Sequence, residues 1–464
     1  MKFALFFGNR GFFPESLVAG ARKEMIEAVK RAGHECICLD ENATKYGAIT
    51  NEEDGYVYAK WLEEHRHEVG GVIMCLPNFS DESGAVKALR NWGGPILIQA
   101  YPDEIGHMSF VERRDAFCGK VSICNYFNQC GIKYTIYKPH VIHPLDERFI
   151  EQIKKFAKVC RVYQGAKSLT IGAIGARATA FKTVRFDEVA LEKNNITVEA
   201  FDLGELFDLV DKLKDDDPKV KEIMDIYENY TDMSRVPADR KVYLAKTTLV
   251  IEDYIKQYHL DAIGLRCWNE FPSAKKVSVC LIASYLGQKG IPTACEVDVY
   301  NALAMKVLSL ASDEPATVMD WNNNYGTEEN KCILFHCGPM AKSMVQDGKT
   351  DVRVHKMFEK TWGEGCSWGV NVGILRKGPI TYASSKIENG KIEFFAGEAR
   401  ITEDPVEKAF FGSWGVTEFD DLEEVMMFVL RNNYHHHVSY TYGKEKEVLK
   451  EALENYLGWK VTLF

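Results

Sequence analysis

The chain has 464 residues, of which 46% are hydrophobic and 27% are charged, as in a globular protein with two or three domains. Its formal net charge of −10 argues against nucleic acid as a partner, because proteins that bind nucleic acid carry a basic surface. No block of Lys and Arg indicates binding to an anionic membrane, and no apolar run reaches the roughly 18 residues of a membrane helix.

The first apolar run lacks the basic start and the cleavage site of a signal peptide. The thirteen cysteines are scattered in apolar contexts and contain no CxxC pair, which predicts buried, reduced thiols and no zinc ribbon. We therefore expect a cytoplasmic protein.

Strands and helices alternate in the first part of the chain. Continuous apolar runs predict strands buried on both faces at Lys2–Phe7, Glu35–Leu39, Gly71–Leu76 and Pro95–Tyr101. Helical periodicity over Glu15–Arg31 predicts a helix that ends near Gly33. We expect residues 1–165 to form an α/β domain with a mostly parallel sheet. Ligands of such sheets bind beyond the carboxyl ends of the strands, where the sequence has Gly8-Asn9-Arg10-Gly11, Pro77-Asn78 and Tyr101-Pro102-Asp103.

A second alternating unit is predicted over residues 166–330. Its strands are expected at Ser168–Gly175, Ile196–Phe201, Asp261–Leu265, Ile291–Cys295 and Val318-Met319. Gly172-Ala173-Ile174-Gly175-Ala176-Arg177 follows a strand but has neither spacing of a phosphate-binding loop. Glycines for close strand–helix packing, with Arg177 reaching the site, explain this segment better. The unit is therefore a second Rossmann-like domain with a parallel sheet.

The predicted secondary structure changes at residue 331, where the alternation of strands and helices gives way to short strands. Short strands are predicted at Ile333–Phe335, Val370–Leu375, Ile380–Ser384 and Ile392–Ala396. Asn389-Gly390 between apolar stretches predicts a two-residue hairpin. Helical segments at Leu422–Arg431 and Lys444–Leu457 finish the chain. Residues 331–464 are thus predicted to form a β-rich, barrel-like domain with terminal helices.

Two carboxylates and a late histidine make up a candidate metal site. Glu296 and Asp320 each follow a predicted strand of the second domain, and His437 ends a run of three histidines in the third. Oxygen ligands suit hard cations such as Mg²⁺, and one imidazole favours Mn²⁺. Acids at strand ends are also common helix N-caps, which is the alternative for Asp298, and a histidine run can be a solvated tract.

Two further side chains lie at predicted strand ends, and each has two possible roles, as a core residue or as part of the site. His336 in Phe335-His336-Cys337-Gly338 is either a core histidine or a ligand. Trp268 in Arg266-Cys267-Trp268 is either a core residue or a wall of a carbohydrate cleft.

Together these segments resemble the L-fucose/L-arabinose isomerase-like family. The resemblance spans most of the chain in the same order and includes Gly8-Asn9-Arg10-Gly11-Phe12-Phe13-Pro14, Arg113-Arg114-Asp115-Ala116-Phe117-Cys118-Gly119, Arg266-Cys267-Trp268, Cys295-Glu296-Val297-Asp298, Asp320-Trp321-Asn322-Asn323, Phe335-His336-Cys337-Gly338 and His436-His437-Val438. It implies two α/β domains and a β-rich third domain. It also implies a homo-oligomer, a trimer or hexamer, in which one subunit's first domain covers a neighbour's site.

The resemblance implies a metal held by Glu296, Asp320 and a late histidine, for which His437 is favoured over His436. The cofactor expected from it is Mn²⁺, with Mg²⁺ or Co²⁺ possible. Here His435 precedes the histidine pair, where many fucose-isomerase-like chains carry an acid. His336 matches a fourth metal ligand of the arabinose branch and a substrate-facing residue of the fucose branch.

We therefore expect an aldose–ketose isomerase that acts on a free sugar through an enediol, with Glu296 as the base and Asp320 as its partner. Substrate contacts are expected from Asn9, Arg10, Arg114, Arg177, Trp268, His336 and His436. One alternative is an isomerase of a sulfonated or phosphorylated hexose, because guanidinium groups suit such anions. The others are a non-catalytic cytoplasmic sugar-binding protein and a metal hydrolase.

Overall fold

The computed structural model describes residues 1–407 and 410–464, which form two compact units. The first unit comprises Met1–Gln164 and Glu451–Gly458, and the second comprises Gly165–Lys450 and Trp459–Phe464. The predicted three domains do not include this late return to the first unit, and the predicted boundary at residue 330 stays a prediction. None of the helices in the described ranges has the length and apolar character needed to cross a membrane.

The first unit is built around a four-stranded parallel sheet. Its elements in chain order are β1 (Lys2–Phe7), α1 (Ser16–Arg31), β2 (Glu35–Cys38), α2 (Glu52–Glu64), β3 (Gly71–Leu76), α3 (Glu82–Leu89), β4 (Ile96–Ala100), α4 (Ala116–Gln129) and α5 (Glu147–Ala166). The strand order is β2-β1-β3-β4, with every neighbouring pair parallel. All four predicted strands are confirmed, because continuous apolar runs are typical of strands covered on both faces.

Residues 451–458 complete the first unit. The Tyr456 hydroxyl accepts a hydrogen bond of 3.2 Å from the backbone N–H of Ile96 on β4. The Thr135 hydroxyl donates to Glu451 Oε1 at 2.7 Å. This late segment is thus hydrogen-bonded to residues at the β4 side of the sheet.

The second unit begins with another parallel sheet. Its elements are β5 (Leu169–Ile174), α6 (Glu188–Glu192), β6 (Ile196–Phe201), α7 (Leu203–Lys212), α8 (Pro218–Tyr230), α9 (Ala238–Tyr258), β7 (Ala262–Leu265), α10 (Cys280–Gln288), β8 (Thr293–Cys295) and α11 (Val299–Ser312). The strand order β6-β5-β7-β8 repeats the topology of the first sheet. The predicted α/β architecture is therefore confirmed in both units.

The rest of the second unit consists mainly of a barrel, beside a separate two-stranded sheet formed by the strands Asp351–Val354 and Trp368–Val372. The remaining elements are β9 (Ala316–Tyr325), β10 (Glu328–His336), β11 (Asp351–Val354), α12 (Lys356–Trp362), β12 (Trp368–Val372), β13 (Gly378–Glu388), β14 (Lys391–Ile401), β15 (Ser413–Phe419), α13 (Leu422–Arg431), β16 (His437–Tyr442), α14 (Lys446–Lys450) and β17 (Lys460–Leu463). Six antiparallel strands, in the order β13-β16-β9-β10-β15-β14, close through the β13–β14 pair. The predicted barrel-like fold is confirmed.

The turn between β13 and β14 is the predicted hairpin. Glu388 pairs with Lys391, and both connecting residues have positive φ, 52° at Asn389 and 75° at Gly390. Two left-handed residues are required by the tight turn whose twist matches that of paired strands. Asn-Gly is the dipeptide that adopts it most readily.

One strand belongs to a different sheet from the predicted one. Val318 and Met319 were expected to end the central parallel sheet, but they lie in β9 of the barrel. A short buried apolar run looks the same in either setting, so its sequence does not reveal its partner strand. Asp320 is consequently a barrel residue.

Helix α11 packs against both the parallel sheet and the barrel. Most of its residues are buried, and the Ser439 hydroxyl of β16 donates a hydrogen bond of 2.9 Å to Asn301 Oδ1 on the helix. The Ser385 hydroxyl of β13 donates to the carbonyl of Tyr300 at 2.7 Å. These buried bonds fix the start of α11, and the turn before it, against the barrel.

Candidate active site

Glu296 lies in a strained turn at the carboxyl end of β8. Both Glu296 and Val297 adopt left-handed backbone angles, with φ of 58° and 62°. This conformation is uncommon for a β-branched residue and costs about 1–3 kcal/mol for each such position. Gly264 on the neighbouring strand leaves room for it, because a Cβ there would lie 3.1 Å from the carbonyl carbon of Val297.

Three neighbouring barrel strands bring the other polar groups to the same place. His437 begins β16 and lies directly opposite Asp320 on β9 in the antiparallel ladder. His336 ends β10 on the other side of β9, next to Phe335, which pairs with Asp320. Cross-strand partners share one face of a sheet, so the two side chains of the Asp320–His437 pair are neighbours.

Glu296, Asp320 and His437 converge. His437 Nε2 lies 3.3 Å from Asp320 Oδ1 and 3.7 Å from Glu296 Oε2. Both carboxylate oxygens are buried and have no hydrogen-bond partner among the described residues. Buried carboxylate oxygens without a donor are costly, and this arrangement fits a cation.

Asp298 orients His437. Its Oδ2 lies 2.8 Å from His437 Nδ1, which leaves Nε2 to face Glu296 and Asp320. The same side chain also caps α11 by accepting from the N–H of Asn301 at 3.0 Å. A carboxylate on the far nitrogen of a histidine is the usual support of a metal-binding imidazole.

The pKa values of Glu296 and His437 favour a positive charge next to the carboxylates of the site. Burial raises the pKa of Glu296, but His336 and His437 outweigh it and bring the pKa to about 2. Burial lowers the pKa of His437, whereas the bond to Asp298 and the nearby carboxylates raise it to about 9. Without an ion, His437 thus carries the proton that a bound cation would displace.

The imidazole ring of His336 faces Glu296. Its Nδ1 accepts the backbone N–H of Cys337 at 2.9 Å, so in the neutral ring Nε2 carries the proton. That Nε2 lies 3.5 Å from Glu296 Oε2. Ligand atoms of Glu296, His336 and His437 all lie within 4.8 Å of one another, so the substrate-facing role and the role of a fourth ligand both stay predictions.

His435 and His436 differ from His437. His435 is buried, stacks on Tyr300 and lies 3.4 Å from Asp298 Oδ2 through Nδ1. His436 is partly exposed and its Nε2 lies 3.5 Å from Asp320 Oδ1. The geometry is thus compatible with the predicted choice of His437 as the ligand and His436 as a residue at the rim.

An aromatic wall stands beside these groups. Trp268 Nε1 donates to Glu296 Oε1 at 3.1 Å, so its indole ring lies next to Glu296, while its role as a substrate contact stays a prediction. Phe181 contacts the rings of Trp268 and His436, with centroid distances of 5.0 Å and 5.1 Å. The sequence reasoning missed Phe181, since a lone phenylalanine in a loop carries no signal.

Arg177 lies on the loop that leads to Phe181. Its guanidinium donates to the carbonyls of Ala178 at 2.8 Å and Thr179 at 3.3 Å. No carboxylate in the described part of the chain lies within ion-pair distance of it. The predicted role of Arg177 as a substrate contact stays a prediction.

The predicted contacts of the first unit lie together beyond the carboxyl ends of its strands. Asn9 is buried, while Arg10 stacks on Phe79 at 4.3 Å and pairs with Glu82. The carbonyl of Arg114 accepts from the N–H of Phe79 at 2.9 Å. Their role as substrate contacts stays a prediction.

Comparisons with known proteins match both ends of the chain. The model of the fucose/sulfoquinovose isomerase N-terminal domain matches residues 4–167, and that of the L-fucose isomerase C-terminal domain matches residues 334–464. A sulfoquinovose isomerase of Clostridium sp. (strain MSTE9) is 26% identical over 240 residues, 51% of this chain and 53% of that protein. Those of Alkalicoccus urumqiensis and Priestia aryabhattai are 25% and 23% identical, over 42% and 60% of this chain and 44% and 61% of their own lengths. The matches thus span about half the length of these curated relatives.

Proposed function

The chain belongs to the fucose isomerase family, and we propose that it is a metal-dependent aldose–ketose isomerase whose substrate is a sulfonated hexose. The observation that carries this proposal is the convergence of Glu296 Oε2, Asp320 Oδ1 and His437 Nε2 within one buried site. The strained turn at Glu296 supports it, because such backbone strain clusters at functional sites.

The relatives favour an anionic substrate over fucose. The curated relatives named above are sulfoquinovose isomerases, and the first family model covers both kinds of isomerase. We therefore prefer the sulfonated hexose to the neutral sugar that the motifs alone suggested. The neutral sugar becomes the comparison substrate of the test.

The donor set fits a divalent cation. Two buried carboxylate oxygens without a donor among the described residues face an imidazole that a carboxylate orients. Glu296, Asp320 and His437 would hold the ion, with Mn²⁺ as the first choice and Mg²⁺ or Co²⁺ as alternatives. When bound, the cation supplies polarisation of the sugar carbonyl and stabilises the charge of the enediol.

Glu296 moves the carbon-bound proton in this mechanism. Its Oε1 accepts a hydrogen bond from Trp268 Nε1, which orients the carboxylate that would accept the proton and return it to the neighbouring carbon. The lowered pKa of Glu296 keeps the carboxylate ionised at neutral pH. Asp320 accepts the proton of the sugar hydroxyl, and the Nε2–H of His336 donates to a sugar oxygen.

Arg177 is the proposed contact for the sulfonate. It shares a loop with Phe181, whose ring contacts His436, and only backbone carbonyls hold its guanidinium in the described structure. A guanidinium presents paired donors that match the oxygens of an anionic group. The substrate would draw Arg177 from these carbonyls.

We also propose a homo-oligomer, a trimer or hexamer, in the cytoplasm. The first unit exposes large apolar side chains on the loops beyond its sheet, among them Phe12, Ile105, Phe110 and Val111. Clusters of exposed apolar residues are typical of protein–protein contacts. In the proposed assembly these loops, with Arg10 and Arg114, cover the site of a neighbouring subunit. Light scattering measures the molar mass of the active protein, and a fully active monomer would contradict this assembly.

A substrate panel tests the proposed function. Chelator-treated protein is supplied with Mn²⁺, Mg²⁺ or Co²⁺ and offered sulfoquinovose, phosphorylated hexoses, L-fucose and L-arabinose, with ketose formation as the readout. We expect ketose only with added metal and the highest kcat/KM for sulfoquinovose. A higher kcat/KM for a neutral sugar would overturn the assignment of the substrate, and undiminished activity after chelation would overturn the metal.

The Glu296→Gln variant tests the base. We expect kcat to fall by at least about 10³-fold, because a general base contributes 10²–10⁴-fold and the site also loses a charged ligand. Glu270→Gln is the matched control, since Glu270 is half-exposed and pairs with Arg266. Reaction of the wild-type protein in D₂O should place deuterium in the product; a product without deuterium would argue for hydride transfer.

A further inference from the structure

A small cavity lined partly by thiols adjoins the active site and shares Trp268, Glu296 and His336 with it. It encloses about 10 Å³, close to the volume available to one water molecule or one small ion. Its walls include four cysteines, Cys267, Cys280, Cys295 and Cys337. None of these thiols takes part in the proposed isomerisation.

Two of the thiols converge on the carboxylate. The Sγ atoms of Cys267 and Cys295 and an oxygen of Glu296 all lie within 4.8 Å of one another. Cys267 Sγ is 3.3 Å from Glu296 Oε1, the oxygen that faces away from His437. Adjacent parallel strands fix the three residues, because Leu265, two positions before Cys267, pairs with Cys295.

Glu296 therefore stands between two donor sets of different chemical character. Its Oε2 faces His437 and Asp320, a set that suits hard cations. Its Oε1 faces two sulfur atoms, and thiolates are the preferred ligands of soft and borderline cations such as Cd²⁺ and Zn²⁺.

His355 adds a further polar atom to the cavity wall. The side chain is buried, its Nε2 lies 3.1 Å from Cys337 Sγ, and its Nδ1 has no hydrogen-bond partner among the described residues. Burial lowers the pKa of His355 to about 4, so the imidazole is neutral and its nitrogen can accept or ligate.

We propose that Cys267, Cys295 and Glu296 form a second cation site, which takes thiophilic divalent ions such as Zn²⁺ and Cd²⁺. Binding replaces the two thiol protons, which pass to solvent, with two sulfur–metal bonds. An ion in this site draws Glu296 toward the thiols, so Zn²⁺ or Cd²⁺ inhibits the isomerase without replacing the ion held by His437. This effect on activity rests on the proposed function, whereas the binding itself does not.

The binding test is spectroscopic. Chelator-treated protein with a phosphine reductant is titrated with Cd²⁺, and the ultraviolet charge-transfer band of cadmium thiolate is recorded. We expect the band in the wild-type protein and at least a tenfold weaker Cd²⁺ affinity in Cys267→Ser and Cys295→Ser. Cys332→Ser is the matched control, because Cys332 is buried in β10 of the same unit and lines no part of this cavity. Equal bands in all four proteins, or none in the wild type, would overturn the site.

The inhibition test separates this site from the isomerase proposal. At a fixed, saturating Mn²⁺ concentration, the Zn²⁺ concentration for half-inhibition should rise at least tenfold in Cys267→Ser and remain unchanged in Cys332→Ser. Equal sensitivity of all variants would contradict inhibition through this site. If no sugar is isomerised at all, the proposed function fails while the cadmium band still reports on the thiols. Circular dichroism of each variant verifies its fold, and Cys267→Ala replaces a variant that does not fold.

Discussion

At the residue scale, Asp298 links the backbone to the chemistry of the site. One carboxylate caps α11 and also bonds His437 Nδ1. The cap could be foreseen, because an acid directly before a helical stretch is a common N-cap. The bond to His437 could not, since it depends on two residues far apart in the sequence.

Asp298→Asn should weaken metal binding more than stability. Asn also caps helices well, but its amide does not stabilise a positively charged histidine or hold the same tautomer. We expect Mn²⁺ affinity to fall about 10- to 100-fold, the usual cost of losing such a partner. Electron paramagnetic resonance of free Mn²⁺ measures it. Asp187→Asn, at the N-cap of α6, is the control, and an equal loss of affinity there would contradict the orienting role.

Arg177→Gln should separate sulfonated from neutral sugars. A charge-assisted hydrogen bond contributes about 1.5–3 kcal/mol, so we expect KM for sulfoquinovose to rise at least about tenfold. Rates with a neutral sugar should change little, because that substrate offers no anion. Arg185→Gln is a suitable control, since the Arg185 side chain is exposed and donates to the carbonyl of Lys182. The same shift for both sugars would remove Arg177 from sulfonate recognition.

At the scale of the elements, the Asp320–His437 pair depends on the register of β9 against β16. Side chains alternate between the two faces of a strand, so a slip by one residue would turn one partner away from the other. The apolar side chains on the same strands, such as Val318 and Val438, hold the register from the buried core. The register of β9 against β16 thus determines both the geometry of the proposed metal ligands and the packing of the barrel.

The sequence predicted the positions of the strands and turns better than the pairing of the strands within the sheets. Continuous apolar runs identified β1 and β3 to the residue, and Asn389-Gly390 identified the hairpin. The motifs also singled out Glu296, Asp320 and His437 before any geometry was known. Strand pairing in the barrel was not predictable, because contacts such as that between residues 320 and 437 are set by the packing of the whole unit.

Gly264→Ala should disturb the turn at Glu296. The added Cβ would lie 3.1 Å from the carbonyl carbon and 3.2 Å from the Cα of Val297, closer than ordinary contact. Displacement of a reacting group by 1 Å can cost about 10²-fold, so a shift of a few tenths should lower kcat by roughly tenfold. Gly287→Ala on α10 is the control, because nothing lies within 4 Å of its added Cβ. Unchanged kcat in Gly264→Ala would show that the turn tolerates the shift.

At the scale of the whole molecule, buried thiols should lower the free energy of unfolding as the pH rises into the alkaline range. Burial raises the pKa of Cys75 and Cys160 well above the ordinary thiol value. Above pH of about 8.5 the unfolded chain loses thiol protons that the folded chain keeps, so unfolding becomes more favourable by up to about 1.4 kcal/mol per pH unit for each thiol. Lys120 acts in the opposite sense, because burial lowers its pKa to about 8.

Urea unfolding of the reduced protein from pH 7 to pH 10 measures this effect. We expect the urea concentration at the unfolding midpoint to decrease as the pH rises above about 8.5. The decrease should be smaller in Cys160→Ala, which lacks one thiol with a raised pKa. Cys118→Ala serves as the control because Cys118 is exposed. The same slope in Cys160→Ala as in the wild type would rule out the thiol as the cause.

The return of residues 451–458 to the first unit has a consequence for synthesis on the ribosome. Residues 1–164 emerge first, yet the hydrogen bonds of Glu451 and Tyr456 to Thr135 and Ile96 cannot form until nearly the whole chain has been translated. The strand β17, which joins the second unit beside β14, is made only after them. Neither unit of the nascent chain is therefore complete before this late part of the sequence has been translated.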